Sequence, residues 1–137
     1  MPGSKNNVEI GNMFVFYNPN PVQPSATDCV VRAISLLQGT DWDKTFMDLV
    51  VMAFHVKDMP SANKVWGAYL AEQGYKRYAI PDTCPYCYTV KDFCIDHPNG
   101  EYLLALDGHV VGVKNGTYYD IWDSGNETVM YYWKKEE

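Results

Sequence analysis

The fold of this chain is decided by the stretch Gln23-Pro-Ser-Ala-Thr-Asp-Cys29-Val-Val-Arg-Ala-Ile-Ser-Leu-Leu-Gln-Gly39. Thr27 or Asp28 stands where a helix N-cap is expected, and Gly39 is typical of a helix end. Nearly all positions between them are apolar, so the helix has no broad polar face. A helix that is apolar around most of its circumference is usually buried. The stretch therefore predicts a central helix that begins at or just before Cys29.

The rest of the chain divides into a helical half and a β half. Two further helices are expected before residue 74, one opened by Thr40 and Asp43 and ending near Phe54, and one capped by Ser61. After Gly100 the pattern alternates as in strands, and Asp-Gly and Asn-Gly pairs mark turns. The expected strands are Met13–Tyr17, Tyr75–Ile80, Glu101–Leu106, Gly108–Val113, Thr117–Trp122 and Thr128–Lys134, and Thr89 with Asp92 opens a short helix before the last four. Helices followed by consecutive antiparallel strands define the α+β class.

Length and charge narrow the functional classes. The chain has 137 residues with 47% hydrophobic residues, which is typical of one globular domain with a packed core. The net charge is −6, so we expect no nucleic acid as partner. The sequence has neither a membrane-length apolar stretch nor an apolar leader. We therefore expect a soluble cytoplasmic protein that does not bind membranes.

Three residue types in this order suggest nucleophilic catalysis. Cys29 is placed at a helix N-terminus, where a thiolate is stabilised. His109 lies on a predicted strand and could act as its base, and an Asp on the returning strand could orient the imidazole. The side-chain NH2 of Gln23 could donate to an oxyanion together with the backbone N–H of Cys29. The sequence therefore predicts a Cys-His-Asp triad.

The pattern resembles the papain-like cysteine peptidase superfamily. It consists of Gln23, then Asp28-Cys29 six residues on, a buried helix, Gly108-His109-Val-Val, and a strand ending in an acid. The bacteriocin-processing cysteine peptidases and uncharacterised phage or Firmicutes proteins are the nearest in character. The resemblance implies one papain-like domain over residues 1–137, with residues 1–12 flexible and a central helix packed on a C-terminal antiparallel β-sheet. It also implies a peptide or protein substrate, no cofactor, and the host cytoplasm if the chain is phage-encoded.

Two aspartates compete for the role of orienting acid. If Asn115-Gly116 is a two-residue loop, Asp120 shares the face of His109. If the loop has three residues and a bulge, the register shifts and Asp123 shares that face. The family resemblance places the acid at the strand end, so Asp123 ranks first and Asp120 second.

The remaining cysteines suggest other functions. Cys84-Pro-Tyr-Cys87 looks like a glutaredoxin redox motif, and Cys84, Cys87, Cys94 and His97 form an alternative zinc set. In a reducing compartment these cysteines are expected to be thiols, metal ligands or redox groups rather than a structural disulfide. The alternatives to a cysteine hydrolase are therefore a thiol redox or zinc protein, and a non-catalytic interaction module on the same fold.

Overall fold

The computed structural model describes residues 13–136, which form four helices and a six-stranded sheet. The expected flexibility of residues 1–12 concerns a segment that lies outside the described residues. The elements are β1 (Phe14–Phe16), α1 (Cys29–Gln38), α2 (Trp42–Val56), α3 (Asn63–Glu72), β2 (Tyr75–Ala79), α4 (Val90–Asp96), β3 (Glu101–Leu106), β4 (His109–Lys114), β5 (Thr117–Asp120) and β6 (Tyr131–Lys135). The α+β class is confirmed. Among the described residues, no helix is both long and apolar enough to cross a bilayer.

The sheet order corrects the expected run of consecutive antiparallel strands. The order is β1-β5-β4-β3-β6-β2, so the last strand returns to the far side of β3 instead of pairing with β5. β1 pairs with β5 in parallel, which makes the sheet mixed, and β2 from the helical half forms the other edge. The physical reason is that β3 is apolar on both faces and buried from Tyr102 to Leu106, as is typical of a central strand. A central strand needs a partner on each side, and β4 and β6 supply them.

Alternate residues of β3 face two separate apolar layers. Leu103 and Ala105 belong to a core shared with the first three helices. Tyr102, Leu104 and Leu106 belong to a second core on the side of α4. The sheet is therefore covered on both faces, and α1 is the helix that packs most extensively against it.

A glycine lets α1 lie close to β4. A Cβ atom built on Gly112 would stand 2.6 Å from Leu36 Cδ2 and 3.5 Å from the Ala33 carbonyl oxygen. A Cβ at this position would displace the Leu36 side chain, and the backbone of α1 already lies at van der Waals distance from it. At the end of α1, Gly39 adopts the left-handed conformation with φ 65°, and its N–H donates to the Leu36 carbonyl at 3.3 Å. Gly39 thus ends the helix as predicted.

Helix caps were predicted with mixed success. The Thr89–Asp92 capping box before α4 is confirmed, with N–H···O distances of 3.0 and 3.2 Å. At α2 the cap is Asp41, which accepts from the Lys44 N–H at 2.8 Å, so the expected Thr40 cap is wrong. At α3 the N-cap position holds Ala62, so the expected Ser61 cap is also wrong. Both errors shift a helix start by one residue: at α2 the neighbouring Asp41 takes the cap, and at α3 no side chain caps the helix.

Candidate active site

The central feature of the site is contact between the first residue of α1 and the first residue of β4. Helix α1 crosses β4 at Gly112, which brings the start of the helix to the start of the strand. Cys29 and His109, both partly buried, lie next to each other there, close enough for the imidazole to affect the pKa of the thiol. A thiol at a helix N-terminus that also touches an imidazole is an environment that stabilises a thiolate.

The carboxylate that holds His109 is Asp120. His109 Nε2 lies 2.7 Å from Asp120 Oδ2, which leaves Nδ1 for the thiol. The register of the hairpin explains this contact, because Lys114 pairs with Thr117 across a two-residue loop. Both loop residues have positive φ, 50° and 76°, as a type I′ turn requires. Of the two registers considered from the sequence, this is the one that places Asp120 on the face of His109.

The preference for Asp123 as the orienting acid is therefore corrected. Asp123 Oδ1 accepts a hydrogen bond from the Tyr118 hydroxyl and another from the Gly125 N–H at 3.0 Å. These contacts hold the pKa of Asp123 below its usual value. Asp123 stabilises the turn after β5 and does not contact His109.

Asp120 is held as a buried carboxylate by several donors. It is 1% exposed and accepts from Ser124 Oγ at 2.8 Å, the Ile121 N–H at 2.8 Å and an Arg32 guanidinium nitrogen at 3.2 Å. Burial alone would raise its pKa, but the hydrogen bond and charge of His109, with the bonds from Ser124 and Ile121, lower it. Asp120 is thus ionised at neutral pH and can stabilise an imidazolium.

Arg32 links Asp120 to the start of the nucleophile's helix. Arg32 is only 4% exposed, and its guanidinium pairs with Asp28 as well as with Asp120. Asp28 holds the N-cap position, one of the two that were expected, but its carboxylate makes no capping hydrogen bond and instead accepts from Arg32, from Trp42 Nε1 at 2.8 Å and from Asn20 Nδ2 at 3.0 Å. Sequence reasoning missed Arg32, although a charged residue on an otherwise apolar helix is itself a signal, since buried charges are paired.

The electrostatics favour an ion pair between thiol and imidazole. Burial raises the pKa of Cys29, but the hydrogen bond from His109, a backbone hydrogen bond with Val110 and the charges of His109 and Arg32 together lower it below its ordinary value. Burial lowers the pKa of His109, but hydrogen bonds and charges of Asp120 and Cys29 raise it to about 9. A thiolate and an imidazolium can therefore coexist near neutral pH, which is the state of an activated cysteine nucleophile.

The pair opens onto a cleft of about 840 Å³. Trp122 lines it beside the histidine, with its ring 5.0 Å from the His109 ring. Trp42 and Phe46 from α2 line the opposite wall. The volume lies in the range of sites that hold small molecules or short peptide segments.

Gln23 lies away from this cleft. It is exposed and is not among the described residues that line the cleft. Its N–H donates to Asn20 Oδ1 at 2.9 Å and its carbonyl accepts from Asn18 Nδ2 at 3.0 Å, so Asx-type turns fix the segment. The expected side-chain oxyanion donor is therefore not brought to the site. The backbone N–H groups at the start of α1 remain, since the first turn of a helix leaves them without intrahelical partners.

The second group of cysteines is divided between two environments. Cys84 and Cys87 are joined by a disulfide in an irregular loop, so in this structure they are neither free thiols nor metal ligands, and an oxidised pair is the form that the third expected alternative, a redox group, also takes. Cys94 is buried in α4, and burial raises its pKa to about 12. His97 stacks on the Phe93 ring at 3.8 Å. Across residues 13–136, no three His, Cys, Asp or Glu side chains converge as a metal site, so the alternative zinc set is not assembled.

Comparisons of this chain with protein-family models, with curated proteins and with solved structures found no match.

Proposed function

We propose that the protein is a cysteine-dependent hydrolase, a peptidase or amidase, that acts by acyl transfer through Cys29, His109 and Asp120. One observation carries the proposal: the His109 ring lies between the Cys29 thiol and the Asp120 carboxylate, at the wall of an open cleft. A nucleophile, a base in contact with it and a group that orients the base are the parts that this chemistry needs.

The reaction follows from the positions of the protons. The Cys29 thiolate attacks a carbonyl carbon, and the N–H groups at the start of α1 stabilise the oxyanion. The C–N bond then breaks, and the imidazolium of His109 gives its proton to the leaving amine. Neutral His109 next takes a proton from water, whose oxygen attacks the thioester carbonyl. The C–S bond breaks, a carboxylic acid leaves, and the thiolate–imidazolium pair is restored. Asp120 holds the ring and stays ionised throughout.

A papain-like fold is part of this proposal. The resemblance of the sequence supports it, and so does the arrangement in which a buried helix carries the cysteine against an antiparallel strand that carries the histidine. The parallel pairing of β1 with β5 is an addition to the fold that the resemblance implies.

Alkylation of Cys29 as a function of pH tests the activated thiol. Iodoacetamide labelling without reductant leaves the disulfide closed, and peptide mass spectrometry separates Cys29 from buried Cys94. Wild type should label at Cys29 with an apparent pKa well below the free-thiol value of ~8.5. That pKa should rise in His109→Ala, because the imidazolium is removed.

A matched pair of variants tests the acid. Asp120→Asn should slow labelling at pH 6 by roughly tenfold or more, since one pKa unit changes the thiolate fraction about tenfold. Asp123→Asn removes the same charge three residues away and should leave the rate within about twofold. Hydrolysis is then read from a proteome-derived peptide library, with Cys29→Ser as the blank. A Cys29 of ordinary pKa that ignores His109, or a library left uncut, contradicts the proposal.

The disulfide gives specific support to a second function, thiol–disulfide exchange by Cys84 and Cys87. Both cysteines lie in one exposed or half-exposed loop, where a substrate thiol could reach them. This function predicts that dithiothreitol opens the bond at millimolar concentration or below and that the reduced protein reduces a model protein disulfide. A Cys84→Ser variant that retains full reductase activity would exclude it.

A further inference from the structure

One end of the cleft is an apolar pocket beside the nucleophile. Trp42 and Phe46 of α2 line it, and their rings stack at 5.0 Å with an interplanar angle of 10°. Leu49 and Trp66 close it from behind, with exposures of 1% and 2%. The pocket therefore has aromatic walls and a packed apolar floor, and it shares one cleft with Cys29.

The walls are held in place before any ligand arrives. Trp42 Nε1 donates to Asp28 Oδ2 at 2.8 Å, which fixes the indole in its plane. The same carboxylate is paired with Arg32, so the wall of the pocket and the catalytic network share a residue. Aromatic walls that are already oriented lose little conformational freedom when a ligand packs against them.

The charges of the cleft exclude an ionic occupant at this end. Among the described residues that line it, the basic side chains are Arg32 and His109, and each is paired with a carboxylate. Asp28 is likewise occupied by its three donors. Asp107 lies on the exposed turn between β3 and β4. A charged group placed against Trp42 and Phe46 would lose its hydration without gaining a partner, which is unfavourable.

We infer that this pocket is a specificity subsite that takes an aromatic or large aliphatic side chain of the substrate and positions the adjacent carbonyl at Cys29. The inference rests on the proposed function and names its substrate class: a polypeptide with a bulky apolar residue close to the bond that is cleaved. Such a side chain buries its apolar surface against the stacked rings, and full burial of a group of this size strengthens binding by at least about tenfold.

A series of chloroacetamides tests the pocket without a known substrate. In each reaction the Cys29 thiolate displaces chloride to form a thioether, so only the N-substituent differs. The reagents are N-methyl-, N-(2-phenylethyl)- and N-(2-carboxyethyl)-2-chloroacetamide, with every rate at Cys29 divided by the rate with glutathione. In wild type the phenylethyl reagent should react at least about tenfold faster than the methyl reagent, and the carboxyethyl reagent should be the slowest.

Two neighbouring residues of α2 supply the variant and its control. Phe46→Ala should bring the phenylethyl-to-methyl ratio down to near 1, and Phe46→Leu, which keeps more of the packing, should give an intermediate ratio. Met47→Ala should keep the wild-type ratio, since Met47 is 56% exposed and does not line the cleft. The ratio is read within each protein, so a loss of stability shared by all reagents does not affect it.

Three adverse outcomes are possible, and they distinguish a failure of the subsite from a failure of the proposed function. If the methyl reagent labels Cys29 in a His109-dependent way while the ratio in wild type is near 1, the subsite is wrong and the proposed function stands. If no reagent labels Cys29 faster than an ordinary thiol, the proposed function fails and the subsite fails with it. A ratio that is high in wild type and unchanged in Phe46→Ala also overturns the subsite.

Discussion

Replacing Arg32 by methionine removes a cation that bridges the nucleophile's helix and the orienting acid. Arg32 is 4% exposed and Asp120 1%, so both charges of this pair are shielded from water. Methionine keeps most of the volume of arginine, and the perturbation is therefore mainly the lost charge and hydrogen bonds. The change leaves Asp28 and Asp120 as buried carboxylates without their common partner.

The magnitude follows from the partners that remain. Breaking a buried ion pair by removing one member destabilises a protein by about 3–5 kcal/mol. Asp120 still accepts from His109, Ser124 and the Ile121 N–H, so we expect the lower end, about 3 kcal/mol. For a chain of this size that corresponds to a loss in Tm on the order of 10 °C. The fold should survive, because typical stabilities are about 5–15 kcal/mol.

Urea unfolding and Cys29 alkylation measure two separate consequences. Lys44→Met is the matched control, because Lys44 forms an i,i+4 pair with Asp48 but has a side chain 62% exposed. Such surface pairs contribute at most about 0.5 kcal/mol. Burial raises the pKa of Cys29 and the charge of Arg32 is one of the features that lower it, so the apparent pKa in labelling should also rise in Arg32→Met. If Arg32→Met destabilises the protein no more than Lys44→Met, the bridging role is refuted.

Two further perturbations act on the packing and the titration of the same site. Gly112→Ala should destabilise the protein by about 1–3 kcal/mol, because a Cβ 2.6 Å from Leu36 Cδ2 forces that buried side chain to repack; unchanged urea unfolding would contradict this. In Cys29→Ser the free energy of unfolding should fall as pH rises above 6.5. Burial lowers the pKa of His109, but the Asp120 carboxylate raises it. A histidine whose pKa is higher in the folded than in the unfolded protein stabilises the fold fully below its unfolded pKa, and this stabilisation is lost as the pH rises through its folded pKa. Urea unfolding between pH 6 and 9 checks it, and the slope should vanish when His109→Gln is added. Wild type should show a shallower slope, since lowering the pKa of Cys29 has the opposite dependence.

Local rules predicted the elements that depend on near neighbours in sequence. Gly39 ends α1 and the Thr89–Asp92 box opens α4, because a cap is a contact within one helical turn. The predicted run of consecutive antiparallel strands was wrong for the last strand, because alternation along a strand does not decide whether β6 pairs with β5 or with β3. The disulfide between Cys84 and Cys87 was not predicted as a structural bond, because an expected reducing compartment disfavours disulfides whatever the geometry of the loop.

The pairing of His109 with Asp120 follows from the conformation of the turn between β4 and β5. The sequence left two hairpin registers open, and the family resemblance was used to rank Asp123 first. The turn chemistry alone favoured the other register, because Asn-Gly is the preferred pair for a two-residue type I′ loop. The structure has that loop, with positive φ at both positions.

Arg32 offered an independent route to the same acid. A guanidinium on a helix that is apolar on nearly every side is buried with the helix, and a buried cation needs carboxylates within hydrogen-bond reach. Asp28, four residues earlier, supplies one of them, and the second has to come from the sheet on which the helix packs. In the structure that second carboxylate is Asp120, whose Oδ1 lies 3.2 Å from an Arg32 guanidinium nitrogen. The buried charge of Arg32 thus requires an acid on the sheet, and the two-residue Asn-Gly loop, which puts Asp120 on the face of His109, selects Asp120 from the two candidates without any appeal to a relative.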